Sequence, residues 1–208
     1  MRQVDPAARQ LLLDRLVAAH QALFTYSAQV KVEAVSDKRR ESATASVVYQ
    51  KPGKARVDVR RGDGSSALVV CDGASRLFSA NVIRKKAKAE AGEKALLETL
   101  SQAELFVTPA FLFLVSRNAP VRSLLPGALK VLGFGTPTTL DGVTVEVVAA
   151  DVATKDGEAR LTFSIGKEDH LLRRLLVQTN YQSENYTLAE TYTDVKANPK
   201  LDKKAFAL

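Results

Sequence analysis

Tryptophan is absent, cysteine and methionine occur once each, and histidine occurs twice among 208 residues. A single thiol, Cys71, cannot close an internal disulfide, so packing must hold the fold together. His20 and His170 sit far apart with no partner at ligand spacing, which argues against a zinc site. No apolar run approaches the ~18 residues of a membrane-spanning helix. The longest stretch, Pro109 to Val115, falls well short of it. Gly-x-Ser-x-Gly is missing, so the nucleophile elbow of a serine hydrolase is not written here. Gly62-Asp63-Gly64-Ser65-Ser66 lacks the Gly-Lys-Ser/Thr ending of a phosphate loop and reads as a turn. The opening Met1-Arg2-Gln3-Val4-Asp5-Pro6 has no apolar signal-peptide core. The expectation is either a cytoplasmic protein or a secreted one given without its leader.

What is present describes a well-cored globular chain. Hydrophobic residues are 46% and charged residues 25%, too apolar for disorder. This length suits one β-rich domain, and a single domain over residues 1–208 is expected. A net charge of +7 favours anionic surroundings, although charge of this size also serves plain solubility.

Asp5-Pro6 is a helix start, a capping carboxylate followed by proline at the first helical position. Leu12, Leu13, Leu16, Val17, Ala19 and Leu23 then recur at helical spacing, predicting a helix over 6–22. From Phe24 the period becomes two. Phe24, Tyr26, Ala28, Val30, Val32 and Ala34 share one face, and Thr25, Ser27, Gln29, Lys31 and Glu33 the other. Charged residues 37–41 read as a turn. Strands follow over 44–50, 55–59, 67–71 and 76–80, with Pro52-Gly53, Gly62-Asp63-Gly64 and Asp72-Gly73 between them. Residues 24–80 thus form a first meander, and 82–88 is basic and extended. Helices are expected over 89–105 and 110–116, the second started by Thr108-Pro109. Strands resume over 129–134, 143–148, 159–165, 171–178 and 185–192, with Asp141-Gly142 and Asp156-Gly157 as turns. Strands and helices do not alternate, so a doubly wound parallel sheet is excluded in favour of an α+β, mostly antiparallel design.

Little of this pattern carries reaction chemistry. Cys71 alternates with Val69 at a strand end and reads as a small core residue. Carboxylates are scattered, so neither an acid–base pair nor a metal centre is indicated, and the chain is not expected to be an enzyme. Arg84-Lys85-Lys86 and Lys88 form the densest basic run. No aromatic interleaves with it, which disfavours nucleic acid and favours a charge-protected edge strand. The least ordinary segment is Phe111-Leu112-Phe113-Leu114-Val115, apolar all round, which must be core or meet a ligand.

Gln50-Lys51-Pro52-Gly53-Lys54-Ala55-Arg56-Val57 and then Val69-Val70-Cys71-Asp72-Gly73 make a Pro-x-x-x-Arg … Asp-Gly pattern. In this the chain resembles the LolA/LolB-like lipoprotein-carrier superfamily, in an uncharacterised periplasmic branch. Asp141-Gly142-Val143 resembles its later Gly-Val strand start. Tyr192-Thr193-Asp194-Val195-Lys196-Ala197-Asn198-Pro199-Lys200-Leu201-Asp202, followed by Phe206, is similar to its C-terminal signature. The resemblance spans nearly the whole chain. It implies a curved, incomplete antiparallel β-barrel with an N-terminal helix (6–22), a first meander (24–80), a helical lid (89–125) and a second meander (128–208).

It also implies an extracytoplasmic carrier or sensor, periplasmic or in the cell envelope, that holds a hydrophobic or acylated ligand and needs no cofactor. The expected lining is Val30, Val32, Val57 and Val59 on the sheet with Phe111, Leu112 and Phe113 on the lid, and Arg56 as a polar contact. A membrane or envelope protein is a possible partner on the same grounds. The alternative is a protein-interaction or regulatory module on the same scaffold.

Overall fold

A computed structural model describes residues 6–73, 75–80, 83–88, 113–114, 128–154, 157–181, 184–202 and 204–207. Helix α1 (Pro6–Ala22) is followed by β1 (Thr25–Ser36), β2 (Arg40–Gln50), β3 (Lys54–Arg61), β4 (Ser66–Asp72), β5 (Ser75–Ala80) and β6 (Ile83–Lys88). After the insertion come β7 (Ala128–Phe134), β8 (Thr138–Leu140), β9 (Val143–Thr154), β10 (Gly157–Gly166), β11 (Leu172–Tyr181) and β12 (Glu184–Ala197). The strands hydrogen-bond in the order β6-β5-β4-β3-β2-β1-β12-β11-β10-β9-β7, with β8 beside β9. Each meander is antiparallel, and the sheet has two free ends, so it is not a closed barrel. This is the expected α+β, mostly antiparallel architecture with an N-terminal helix. Capping residue Asp5 and the predicted 89–105 helix lie outside the described residues.

The chain divides into two compact units that share strands β1 and β12. One comprises Met1–Ala22, Glu33–Arg40 and Ser116–Thr191. Here α1 packs against β7. It buries Leu12, Leu13, Leu16, Val17 and His20, while Leu11 stays about half exposed. Alternation along β9, β10 and β11 sorts the residues by face. Val148, Phe163 and Leu175 lie in one paired row, and Ala150, Leu161 and Val177 in the next. The Asp141-Gly142 turn is a two-residue hairpin between Leu140 and Val143, with φ of 49° and 75°. Such turns need positive φ at both central positions, which Asp and Gly tolerate best.

The other unit comprises Leu23–Val32, Glu41–Val115 and Tyr192–Leu208. Its buried face carries Tyr26, Ala28, Val30 and Val32 from β1 and Ala45, Val47 and Tyr49 from β2. Ala55, Val57 and Val59 from β3 and Ala67, Val69 and Cys71 from β4 complete it. Two features differ from the sequence reading. Phe24 was expected on this face but lies in a bend before β1 and is 58% exposed. Strand β2 starts at Arg40 instead of after the charged residues, and its ladder with β3 reaches the polar end of the strand at Ala43, opposite Arg61. Basic residues 83–88, by contrast, form the expected edge strand, paired with β5 at one end of the strand order.

Candidate functional site

Two faces of the second unit are chemically distinct, and the pairing register separates them. Residues directly opposite in an antiparallel ladder share a face. Val47, Val57, Val69 and Phe78 form one cross-strand row, and Ala45, Val59, Ala67 and Ala80 the next. Gln29 donates to the Ser46 hydroxyl at 3.2 Å, placing those two side chains together on the other face. By alternation, Val30 and Val32 therefore lie on the same side as Val57 and Val59. All four valines are 4% exposed or less. Sequence reasoning thus named four members of one apolar surface, placed Tyr26 on the same face of β1 without counting it in the lining, and passed over Val47, Val69 and Tyr49. Alternation in their own strands was the available signal.

Arg56 leaves β3 from the opposite face. It pairs there with Asp58 through two hydrogen bonds, at 2.7 and 3.2 Å, and is about one-third exposed. Its cross-strand neighbours are Val48 and Val70, and Leu77 extends the row. The C-terminal segment covers that row: Phe206 packs with Val70 and Leu77, flanked by Val48, Leu68, Leu201 and Ala205. Further along, the face becomes an open polar depression of about 600 Å³ lined by Thr44, Ser46, Asp58, Arg60, Ser66 and Ser79. The structure therefore brings Val30, Val32, Val57 and Val59 together and puts Arg56 across the sheet from them. Phe113 and Leu114 are fully buried. Phe111 and Leu112 lie outside the described residues.

Two groups on this unit have shifted acidities, each with a local cause. Burial pushes the Cys71 thiol up to about 11, so it stays protonated at neutral pH and is a poor nucleophile. The Gly62-Asp63-Gly64 segment is a hairpin turn in which Asp63 accepts from the Ser65 amide at 2.8 Å. Hydrogen bonding from Ser65 lowers the Asp63 carboxyl pKa. Among the described residues, no group of three or more His, Cys, Asp and Glu side chains could hold a metal ion. Among them also, no helix is long and apolar enough to cross a membrane.

The first unit offers a second polar depression, of about 490 Å³, on the sheet face that carries Asp151, Arg160, Gln178, Asn180, Asn185 and Thr187. Arg160 and Asp151 are paired at 2.9 Å across β10 and β9. On the helix side, His20 is fully buried and its Nδ1–H donates to the Leu16 carbonyl at 2.8 Å. Nearby, Arg173 pairs with Asp169 across the turn that holds His170.

No family model and no curated protein matches the chain. Solved structures do. The lipoprotein LppX of Mycobacterium tuberculosis superposes with a TM-score of 0.52 at 13% identity, covering 95% of this chain and all of that one. MucB superposes with a TM-score of 0.57 at 13% identity, over 97% of this chain and 63% of the longer MucB chain. The Pseudomonas aeruginosa MucA/MucB complex matches with a TM-score of 0.52 at 13% identity, over 97% of this chain and 61% of that one. At such identities, what is shared is the fold.

Proposed function

On this shared fold, we propose that the protein is an extracytoplasmic carrier or sensor that shelters an acyl chain against the valine face of its second unit. The observation that carries the reading is that face itself. Val30, Val32, Val57 and Val59 form one β-branched surface removed from water, while the reverse face is divided between an apolar row under Phe206 and an open polar depression. Phe111, Leu112 and Phe113 are proposed to cover the guest from the insertion. Arg56 then acts from the outer face, stiffening β3 through Asp58, instead of touching the guest.

About ten buried methylenes at ~0.8 kcal/mol each contribute ~8 kcal/mol before association costs. Losses of ~4 kcal/mol or more leave a modest affinity, as a protein that must also release its cargo requires. Titration of delipidated protein with a fluorescent fatty acid tests this. Saturable binding that V57D abolishes while R56A leaves it intact is the expected result.

A second reading is favoured by one observation, the likeness to MucB, which has been solved in complex with MucA. On that reading the valine face is closed core, and the fold presents its surface to another envelope protein. Absence of any saturable fatty-acid binding would move the conclusion there.

A further inference from the structure

One corner of the second unit combines a fixed, exposed aromatic with a collar of lysines, and we infer that it docks on anionic phospholipid bilayers. The inference does not depend on what the valine face holds.

Phe24 is 58% exposed, the most exposed large apolar residue among those described. It is not loose. Its amide donates to the Asn198 side chain at 2.7 Å, and its carbonyl accepts from the Lys51 amide at 2.9 Å. The next residue is held as firmly, with the Thr25 hydroxyl donating to the Pro199 carbonyl at 2.8 Å. Asn198 adopts a φ of 52° to make this grip, returning its own amide to the Thr25 carbonyl. Backbone strain at Asn198 and four long-range hydrogen bonds thus hold a phenyl ring in water, at an apolar cost that a core site would remove.

The loops that grip Phe24 are cationic. Lys51 and Lys54 flank the β2–β3 connection, Lys196 stands among the last residues of β12, and Lys200 and Lys204 follow its end. Acidic groups at this corner are Asp72, Asp194 and Asp202. Two of them are occupied locally: Asp72 accepts from the Ser75 amide and Asp202 from the Lys204 amide. A lipid interface answers both features. Anionic headgroups attract lysines, and the acyl boundary takes an aromatic ring. An acidic protein surface would satisfy the lysines and leave the ring without a partner.

The chain has no tryptophan, so F24W places its one indole at the corner, excited selectively over the five tyrosines at the red edge of absorption. Its emission is expected to shift to the blue with vesicles of phosphatidylcholine and phosphatidylglycerol, and to stay unchanged with phosphatidylcholine alone. In sedimentation with the anionic vesicles, F24S is expected to bind about ten-fold more weakly. K54Q/K200Q is expected to lose about twenty-five-fold, near five-fold per lysine, and added salt to weaken the wild type. Both sets of substitutions are at the surface, and an unchanged thermal midpoint certifies the fold. Unshifted F24W emission with anionic vesicles overturns the inference. So does equal sedimentation of all variants, which would reduce the binding to net charge. Retention on an acidic polypeptide matrix with no vesicle binding would assign the corner to a protein partner instead. Failure of the fatty-acid titration leaves each of these outcomes unaffected.

Discussion

Acidification from pH 7 to pH 4 is expected to cost about 3 kcal/mol of folding stability through His20 alone. This side chain is fully buried in the last turn of α1, and burial lowers its pKa to about 4, with Arg173 adding to the effect. The Leu16 carbonyl and Asp169 pull the other way and lose. Position also favours the cation, since a helix C-terminus stabilises positive charge by ~0.3–1 kcal/mol. Desolvation outweighs that. In the unfolded chain the imidazole titrates near its ordinary 6.5. The folded pKa is therefore depressed, and protons bind preferentially to the unfolded state. Stability is complete above pH 6.5, falls by about 1 kcal/mol near pH 5.5 and by about 3 kcal/mol at pH 4. Urea denaturation followed by circular dichroism at several pH values measures this. H20Q retains a donor toward Leu16 and cannot titrate, so its stability difference between pH 7 and pH 4 should shrink by that amount. An unchanged difference in H20Q, or a His20 ring titrating near 6.5 by NMR, would refute the reasoning.

Other consequences are smaller and local. V57A removes two methyl groups from a fully buried position and is expected to cost about 2 kcal/mol, whereas R56A breaks only a partly exposed ion pair and costs under about 1 kcal/mol; equal losses in chemical denaturation would contradict the assignment of faces. Gly142 has open space around a would-be Cβ but a φ of 75°, so G142A tests backbone strain alone and is expected to lower stability by about 1–2 kcal/mol; a neutral result in thermal unfolding would count against the turn geometry.

Legibility of the fold varied with how local the deciding contact was. The alternation Tyr26, Ala28, Val30, Val32 was readable because each residue's face follows from its own strand. The Asp141-Gly142 hairpin was readable because those two residue types tolerate the positive φ that the turn demands. Phe24 was misplaced because the bend that ejects it is set by Asn198, far along the chain, and no short-range pattern carries that information. Arg40 and Glu41 look like part of the charged turn of residues 37–41 because their own propensities do not announce a strand, yet β2 starts at Arg40. For the candidate site, the valines were legible from alternation. The same alternation, applied strictly, also puts Arg56 on the far side of β3. Cover by Phe206 was not legible, since nothing in Val70 or Leu77 announces which segment will lie over them.

The neighbour of β1 in the sheet is β12, and Asn198 closes on Thr25 across almost the whole chain. The second unit consequently lacks one of its strands and the Phe206 cover until residues beyond 192 have been made. Until then, strands β1 to β5 carry a raw edge and an unshielded greasy row. Such long-range closure implies slow maturation and a window for mispairing with other nascent chains. A cell producing this protein would benefit from an escort that holds the early half until its last strand emerges.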